Sequence, residues 1–290
     1  MTPLVFDRPL LRRRLARARR AGYADFLLRR AADDLDERLA TVLRDFPLVL
    51  DVGTPTALAA ERLRAGGRVG AVVRLAPGPE EGRGLVVGDE EALPFAPGRF
   101  SLAVSLLALQ SVNDLPGALV QIRRALAPDG LFVGCLFGGG TLSELRRAFT
   151  EAEDALLGGV SPRVAPFAEL RDMGGLLQRA GFALPVVDLE TVTVRYPDPF
   201  ALLRDLRAMG LTNALVDRRR TPLPRAVLLR AAQVYAERFS DPDGRVRATF
   251  ETIWLSGWAP HASQQKPLRP GSAQVRLADA LGVPERKLGD

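Results

Sequence analysis

The chain has 290 residues, of which 47% are hydrophobic and 26% charged, a composition typical of a globular protein with one large domain or one domain and a smaller addition. Its net charge of +6 could suggest nucleic-acid binding. However, aromatic residues, which stack on bases, make up only 6% of the chain, and the only lysines are Lys266 and Lys287. We therefore attribute the excess of arginine to the codon bias of a GC-rich genome. The single cysteine, Cys135, excludes an internal disulfide, and the single histidine, His261, removes most metal-site and Ser-His-Asp schemes.

The N-terminus is rich in arginine, but the apolar segment of a secretion signal does not follow it. No apolar run reaches the roughly 20 residues that a membrane span needs, and Asp7 and Asp25 are unlike an organelle presequence. We therefore expect a cytoplasmic protein without a transmembrane segment. One basic cluster is expected to form a solvated helix face, with docking to an acidic partner or nucleic acid as the alternative: Arg12, Arg13, Arg14, Arg17, Arg19 and Arg20.

Hydrophobic residues at spacings of three and four predict a helical region over residues 1–46, which Pro47 ends. From there, short apolar runs alternate with helical patterns. This alternation predicts a parallel sheet with helices on both faces. The predicted strands are residues 48–52, 68–73, 84–87, 100–107 and 131–136. The predicted helices among them are 57–64 and 113–126, and Asn113 or Asp114 is expected to cap the second.

The second half of the chain is richer in helical patterns, and its predicted helices are residues 142–157, 168–180, 200–209 and 224–239. Residues 184–189 and 191–195 are predicted to be two strands that form an antiparallel hairpin at the sheet edge, and 249–258 one more strand. We expect four parts: a helical N-terminal extension (1–46), an α/β domain (47–196), a helical C-terminal part that completes it (197–258) and an extended tail (259–290).

The first predicted strand ends in Asp51-Val52-Gly53, which places an acid and a glycine at the edge where parallel sheets bind cofactors. A nucleotide-type loop needs several glycines because its backbone must approach the ligand closely. Here Pro55 removes an N–H donor and Thr56 adds a side chain. The turn has the position of a cofactor loop but lacks most of its glycines.

Four segments resemble class I S-adenosylmethionine-dependent methyltransferases. They are the turn after the first strand, Asp89-Glu90-Glu91-Ala92-Leu93-Pro94-Phe95, Phe100-Ser101-Leu102-Ala103-Val104-Ser105, and Arg124-Ala125-Leu126-Ala127-Pro128-Asp129-Gly130. The resemblance implies a Rossmann-like α/β fold with a mainly parallel sheet, a C-terminal antiparallel hairpin and helical additions at both ends. It also implies S-adenosylmethionine as the cofactor.

A narrower resemblance, to the complex I assembly factor 5 family, covers almost the whole chain. It rests on residues 112–119, 137–139, 141–142, 144–146, 158–162, 166–167, 196–197, 209–210, 213, 257–258, 263–264 and 271–273. The mitochondrial member of that family is credited with hydroxylating an arginine of a complex I subunit. The resemblance implies a bacterial, methyltransferase-like protein that serves assembly of the respiratory NADH dehydrogenase and has a complex I subunit as its partner.

The cofactor site that the resemblance implies consists of Asp51, Gly53, Thr54, Arg74, Asp89, Glu90 and Ser105. Asp51 would orient the amino group of the cofactor, with capping of the next turn as the alternative. Asp89 would accept a hydrogen bond from the adenine amino group. Arg74 stands where an acid normally meets the ribose hydroxyls, and arginine has donors only. We expect Arg74 to be an exposed loop residue, with an anion ligand as the alternative.

No catalytic residue and no metal ligand is assigned. Gln110-Ser111 replace the His-Trp pair expected from the family, which removes a candidate base and a stacking ring. His261 is expected on the surface. Four further residues match family positions without an assigned role: Tyr196, Asn213, Trp258 and Gln264.

Two hypotheses about function follow. The first is an enzyme that modifies a protein arginine from this fold, because methyl transfer depends mainly on positioning and needs little acid–base chemistry. The second is a degenerate methyltransferase fold that has lost S-adenosylmethionine and works as a non-catalytic assembly chaperone. The glycine-poor loop and Arg74 support the second hypothesis. Nucleic-acid modification rests on charge alone.

Overall fold

The computed structural model describes residues 4–80 and 82–265, with isolated positions further along the chain. It divides into a unit of residues Met1–Pro260 and a unit of residues His261–Asp290, and the fold below is that of the first. None of the described helices is long and apolar enough to cross a lipid bilayer.

Seven strands form one sheet in the order β3-β2-β1-β4-β5-β7-β6. The first five strands pair in parallel, and β7 is antiparallel to both of its neighbours. The strands are β1 (Phe46–Val52), β2 (Val69–Ala76), β3 (Leu85–Val87), β4 (Phe100–Leu106), β5 (Leu126–Phe137), β6 (Ala183–Tyr196) and β7 (Val246–Trp258). This architecture confirms the predicted α/β class with a mainly parallel sheet.

Helices cover both faces of the sheet, as parallel strands with apolar side chains on both faces require. Leucine, alanine and phenylalanine side chains of α2, α3, α5, α7 and α8 pack with one face, and those of α4 and α6 with the other. The described helices are α1 (Arg8–Ala21), α2 (Phe26–Ala40), α3 (Leu58–Ala65), α4 (Leu115–Ala125), α5 (Ser143–Leu157), α6 (Leu170–Arg179), α7 (Pro199–Ala208) and α8 (Arg225–Phe239).

The antiparallel part of the sheet differs from the prediction. Residues 184–189 and 191–195 do not form a hairpin, because they belong to one continuous strand of 14 residues, β6. Its partner is β7, which pairs with it from Tyr196↔Val246 to Ala183↔Trp258. Glu190 sits inside the ladder opposite Thr252, so no turn occurs between the two apolar runs. The strand predicted at 249–258 thus supplies the second half of the antiparallel pair.

The N-terminal segment lies at the carboxyl edge of the sheet, next to the ends of β1, β2 and β4. The Asn113 side chain fixes its start, because Oδ1 accepts hydrogen bonds from the backbone N–H groups of Val5 and Phe6 at 2.9 and 2.8 Å. Asp114, the other predicted cap, accepts from the Gly117 N–H at 2.8 Å and begins α4. Adjacent polar residues therefore cap a helix and anchor the segment that leads into α1.

Candidate cofactor edge

The turn after β1 is closed on itself. Asp51 and Thr54 are completely buried, and the Thr54 hydroxyl donates to the Asp51 carboxylate. Gly53 has φ of 72°, a left-handed conformation that glycine adopts without strain, and its N–H donates to the carbonyl of Leu75 at 2.9 Å. The Thr54 hydroxyl also accepts from the Leu106 N–H at 3.2 Å. The Thr54 side chain thus ties together the ends of β1 and β4.

Arg74 is buried at the end of β2, with 4% of its surface exposed, and the expectation of an exposed loop arginine is wrong. The reason is that β2 continues to Ala76, so Arg74 pairs with Asp51 within the sheet. Its Nε lies 3.4 Å from Asp51 Oδ2, Nη2 donates to the Thr54 carbonyl at 2.6 Å, and Nη1 forms an ion pair with Glu80. All three guanidinium nitrogens therefore face groups of this chain.

Burial raises the pKa of the Asp51 carboxyl to about 6, and the positive charge of Arg74 and the Thr54 hydroxyl offset only part of that rise. A carboxyl with this pKa titrates close to neutral pH. The charge balance at the end of β1 is therefore sensitive to pH in a range where ordinary aspartates are fully ionised.

Three arginines of α1 reach the same edge: Arg8, Arg12 and Arg19. The predicted solvated face is therefore wrong for two of its members, Arg12 and Arg19. Arg8 contacts Asp89, with its Nη2 2.9 Å from Oδ1, and also pairs with Glu90. Arg12 pairs with Asp89. Arg19 pairs with Glu80 and donates to the carbonyl of Pro55. A fourth helix residue, Arg14, donates to the Thr212 carbonyl at 2.7 Å.

We call the following eight residues the arginine–carboxylate network: Arg8, Arg12, Arg19, Arg74, Asp51, Glu80, Asp89 and Glu90. It contains four cations and four carboxylates that pair with one another across α1, β1, β2 and the segments after β2 and β3. Although burial opposes ionisation of Asp89, hydrogen bonds from the Glu91 N–H and from Arg8 hold its pKa below the usual range. Opposite charges thus compensate one another in a partly dry site.

Glu90 covers the glycine of the turn. Its carboxylate is 5% exposed, and a Cβ placed on Gly53 would lie 2.6 Å from Glu90 Oε1. The open face of Gly53, through which a cofactor would approach the backbone, is therefore in contact with a side chain. Ser105, on β4, donates from its hydroxyl to the Val52 carbonyl at 2.7 Å, so it joins two strands at the same edge.

Two neighbouring cavities lie at this edge. The first, which we call the edge cavity, has a volume of about 70 Å³ and is bounded by Gly53, Glu90 and residues of α1. The second, which we call the apolar cavity, has a volume of about 240 Å³ and lies between the end of β5, α5, α7 and residues 211–215. Gln110 and Ser111 line both, so they mark the junction between the two.

The residues present do not fit S-adenosylmethionine in this arrangement. The ribose hydroxyls of the cofactor would meet Arg74, which has donors only and is engaged by Asp51, Glu80 and Thr54. The Glu90 side chain, which is paired with Arg8, occupies the space through which the cofactor would approach Gly53.

All seven residues of the implied site lie at one edge, around the ends of β1, β2 and β4 and after β3. Their partners Arg8, Arg12 and Arg19 were missed as site residues, although their spacings of four and seven along a predicted helix place them on one face. Glu80 follows a Pro-Gly-Pro run, and no pattern in the sequence marks it as a site residue.

Of the four matched residues without a role, the three in the first unit take no part in the network. Asn213 donates to the Pro162 carbonyl at 2.7 Å and accepts from the Leu215 N–H, so it shapes a wall of the apolar cavity. Tyr196 is buried in the core, and the Arg44 guanidinium lies 5.3 Å from the Trp258 ring. Gln264 belongs to the second unit, where its Oε1 accepts from the N–H of the exposed His261 at 3.2 Å.

Comparison with known proteins identifies the family. A methyltransferase-domain family model matches residues 17–185. The arginine-hydroxylase NDUFAF5 of Danio rerio is 38% identical over 286 residues, which cover 95% of this chain and 89% of the relative. The human arginine-hydroxylase NDUFAF5 is 38% identical over 287 residues, covering 95% and 83%. The chain belongs to the NDUFAF5 family of the methyltransferase superfamily.

The chain is also similar to proteins named as O-methyltransferases. A malonyl-[acyl-carrier protein] O-methyltransferase of Halorhodospira halophila is 36% identical to the chain, and the match covers 97% of both proteins. Among solved structures, the YcgJ protein of Bacillus subtilis superposes with a TM-score of 0.53 at 14% identity, covering 80% of this chain and 99% of that one. The superposition supports the fold of the NDUFAF5-family chain.

Proposed function

We propose that this chain serves the assembly of respiratory NADH dehydrogenase as a protein-binding member of its family, with a cofactor edge closed by its own side chains. The observation that carries the proposal is Glu90, buried against Gly53 and paired with Arg8. The partner is a complex I subunit, in keeping with the similarity to NDUFAF5 along 95% of the chain.

The energetic argument concerns the cost of opening the edge. For a ligand to reach Gly53, Glu90 must leave its position and part from Arg8, while both groups lie in a largely dry site. Breaking a buried ion pair by removing one partner costs about 3–5 kcal/mol. Opening the edge leaves Arg8 paired with Asp89, so its cost is smaller than that, but any such cost is subtracted from the free energy of cofactor binding.

The second candidate is a methyltransferase in which the edge opens and S-adenosylmethionine binds. One observation favours it: the apolar cavity adjoins the edge at Gln110 and Ser111, where an acceptor would have to lie next to a methyl donor. When bound, the cofactor would supply the methyl group, and Asp89 would hold its adenine. The acceptor would be a protein arginine, by analogy with the name of NDUFAF5, or a carboxylate, by analogy with the O-methyltransferase.

Deletion of the gene in its source organism, followed by complementation, tests the proposal. Deleting the gene is expected to lower the amount of assembled NADH dehydrogenase, and the wild-type chain is expected to restore it. Normal enzyme levels in the deletion strain would refute the assembly role.

A complementing variant separates the two candidates. Ala108→Leu adds bulk to the wall of the edge cavity. If the edge is closed and unused, the variant restores assembly as well as the wild type does. If the variant accumulates to wild-type abundance but does not restore assembly, a ligand at the edge is needed for function. That result would favour the methyltransferase candidate.

A further inference from the structure

The apolar cavity is a partly open pocket whose walls come from several elements of the fold. Its walls come from Phe137 at the end of β5, from Leu145 and Phe149 on α5, and from Leu206 on α7, with residues 211–215 closing one side. An apolar cavity of about 150 Å³ is large enough to bind benzene in its dry interior. At about 240 Å³, this cavity has room for a ligand larger than a single ring.

The wall against residues 211–215 is fixed in place. The Arg14 guanidinium donates to the Thr212 carbonyl at 2.7 Å, and Asn213 joins Pro162 and Leu215 by hydrogen bonds through both atoms of its amide. A wall held by three side-chain hydrogen bonds keeps its shape without a ligand. Little ordering is then needed on binding, and pre-formed sites lose less affinity for that reason.

The charge in the cavity is already compensated. Arg163 is the one charged residue among the described residues that line the cavity, and its Nε donates to Glu153 at 2.9 Å. Its guanidinium also lies 5.8 Å from the Phe149 ring. Since Glu153 neutralises the only cation in the wall, the cavity favours a neutral ligand over an anion.

One polar group in the cavity wall, on Gln110, lacks a partner among the described residues. Gln110 is 8% exposed, and its Nε2 donates to the Leu107 carbonyl at 2.7 Å. The other amide atom, Oε1, is buried and has no hydrogen-bond partner among the described residues. Buried amide oxygens in native proteins are nearly always paired, so this acceptor at the junction of the two cavities points to a donor supplied by a ligand.

From the shape, charge and unpaired acceptor, we infer that the apolar cavity binds a neutral, largely apolar small molecule whose single hydrogen-bond donor, a hydroxyl or N–H, reaches Gln110. The ligand is the size of a two-ring aromatic or a short branched chain. Its polar end lies at Gln110 and Ser111, and its apolar body lies among Leu145, Phe149 and Leu206. This inference goes beyond the proposed function, since binding requires neither S-adenosylmethionine nor a complex I subunit.

Titration of the full chain with 2-naphthol, followed by its fluorescence and by calorimetry, tests the inference. We expect one molecule bound per chain, at least tenfold more tightly than 2-methoxynaphthalene, which has the same rings but no donor. Absence of 2-naphthol binding to the folded chain would overturn the inference. Equal affinities for the two compounds would overturn the role of Gln110.

Variants locate the site. Leu145→Trp fills the cavity and is expected to abolish binding, whereas Leu156→Trp on the same helix, at a side chain that is 49% exposed, should leave it unchanged. If Leu145→Trp does not fold, Ala165→Phe fills the cavity from the segment after α5. Gln110→Leu should lower the affinity for 2-naphthol to that for 2-methoxynaphthalene. Binding that persists in a folded, filled variant would place the probe elsewhere and refute the proposed site.

Discussion

Arg8→Ala is the substitution that tests the arginine–carboxylate network most sharply. Arg8 is 13% exposed at its side chain, and it contacts Asp89 and Glu90. Glu90 has only 6% of its side chain exposed, so removing Arg8 leaves a carboxylate that is almost fully buried and has lost its cation. Leaving a buried charge without its partner costs about 3–5 kcal/mol. Asp89, the other carboxylate that Arg8 contacts, is 32% exposed and is therefore partly solvated after the substitution. We expect Arg8→Ala to lower the free energy of unfolding by about 3 kcal/mol, near the lower end of that range.

Urea denaturation provides the assay, with the free energy of unfolding taken from the midpoint and slope. Arg17→Ala is the matched control, because Arg17 is an exposed residue of the same helix, and surface substitutions change stability by about 0.5 kcal/mol or less. In the double variant Arg8→Ala, Glu90→Gln, the buried charge is gone, so we expect part of the loss to be recovered. A loss for Arg8→Ala no larger than that for Arg17→Ala would refute the network as a buried, compensated unit.

Two further predictions concern the turn after β1 and the neighbouring strand. Because the folded pKa of Asp51 is about 6 and the unfolded value about 3.9, its contribution to stability is greatest below pH 4 and falls by roughly 3 kcal/mol as the pH rises through 6. Urea denaturation at a series of pH values measures the free energy of unfolding of the wild type and of Asp51→Asn. The wild-type value minus the variant value should decrease between pH 4 and pH 7.5, and an increase would contradict the raised pKa. Gly84→Ala should lower the thermal midpoint more than Gly67→Ala, because both have φ near 70° but only the Cβ at Gly84 would meet a backbone carbonyl, that of Val72, at 2.6 Å. Equal shifts for the two variants would mean that the close approach has no cost.

The sequence was most informative where a local pattern determines local structure. The run that forms β1 is apolar and is followed by an acid and a glycine, so both the strand and the tight turn could be predicted. The helix after Asp114 was predicted from its cap, and the structure shows that cap. Strand β6 was misread because two apolar runs with a single polar residue between them satisfy the pattern of a hairpin as well as that of one long strand.

The candidate site was less predictable because its interactions join distant segments. Arg8 and Glu90 are 82 positions apart, and no local pattern shows that a helix at the N-terminus will lie over the carboxyl edge of a sheet. Arg74 looked like a loop residue because β2 was expected to end at residue 73, and a strand three residues longer changes its surroundings from solvent to a buried carboxylate. Strand ends are the least certain part of such predictions.

The closure of the cofactor edge is tested most directly by calorimetric titration of the full-length wild-type chain with S-adenosylmethionine. The side chain of Glu90 against Gly53 and the buried Arg74 predict weak or undetectable binding at micromolar concentrations. Saturable binding with a Kd in the low micromolar range would contradict the closed edge and show that the arginine–carboxylate network opens readily to admit the cofactor.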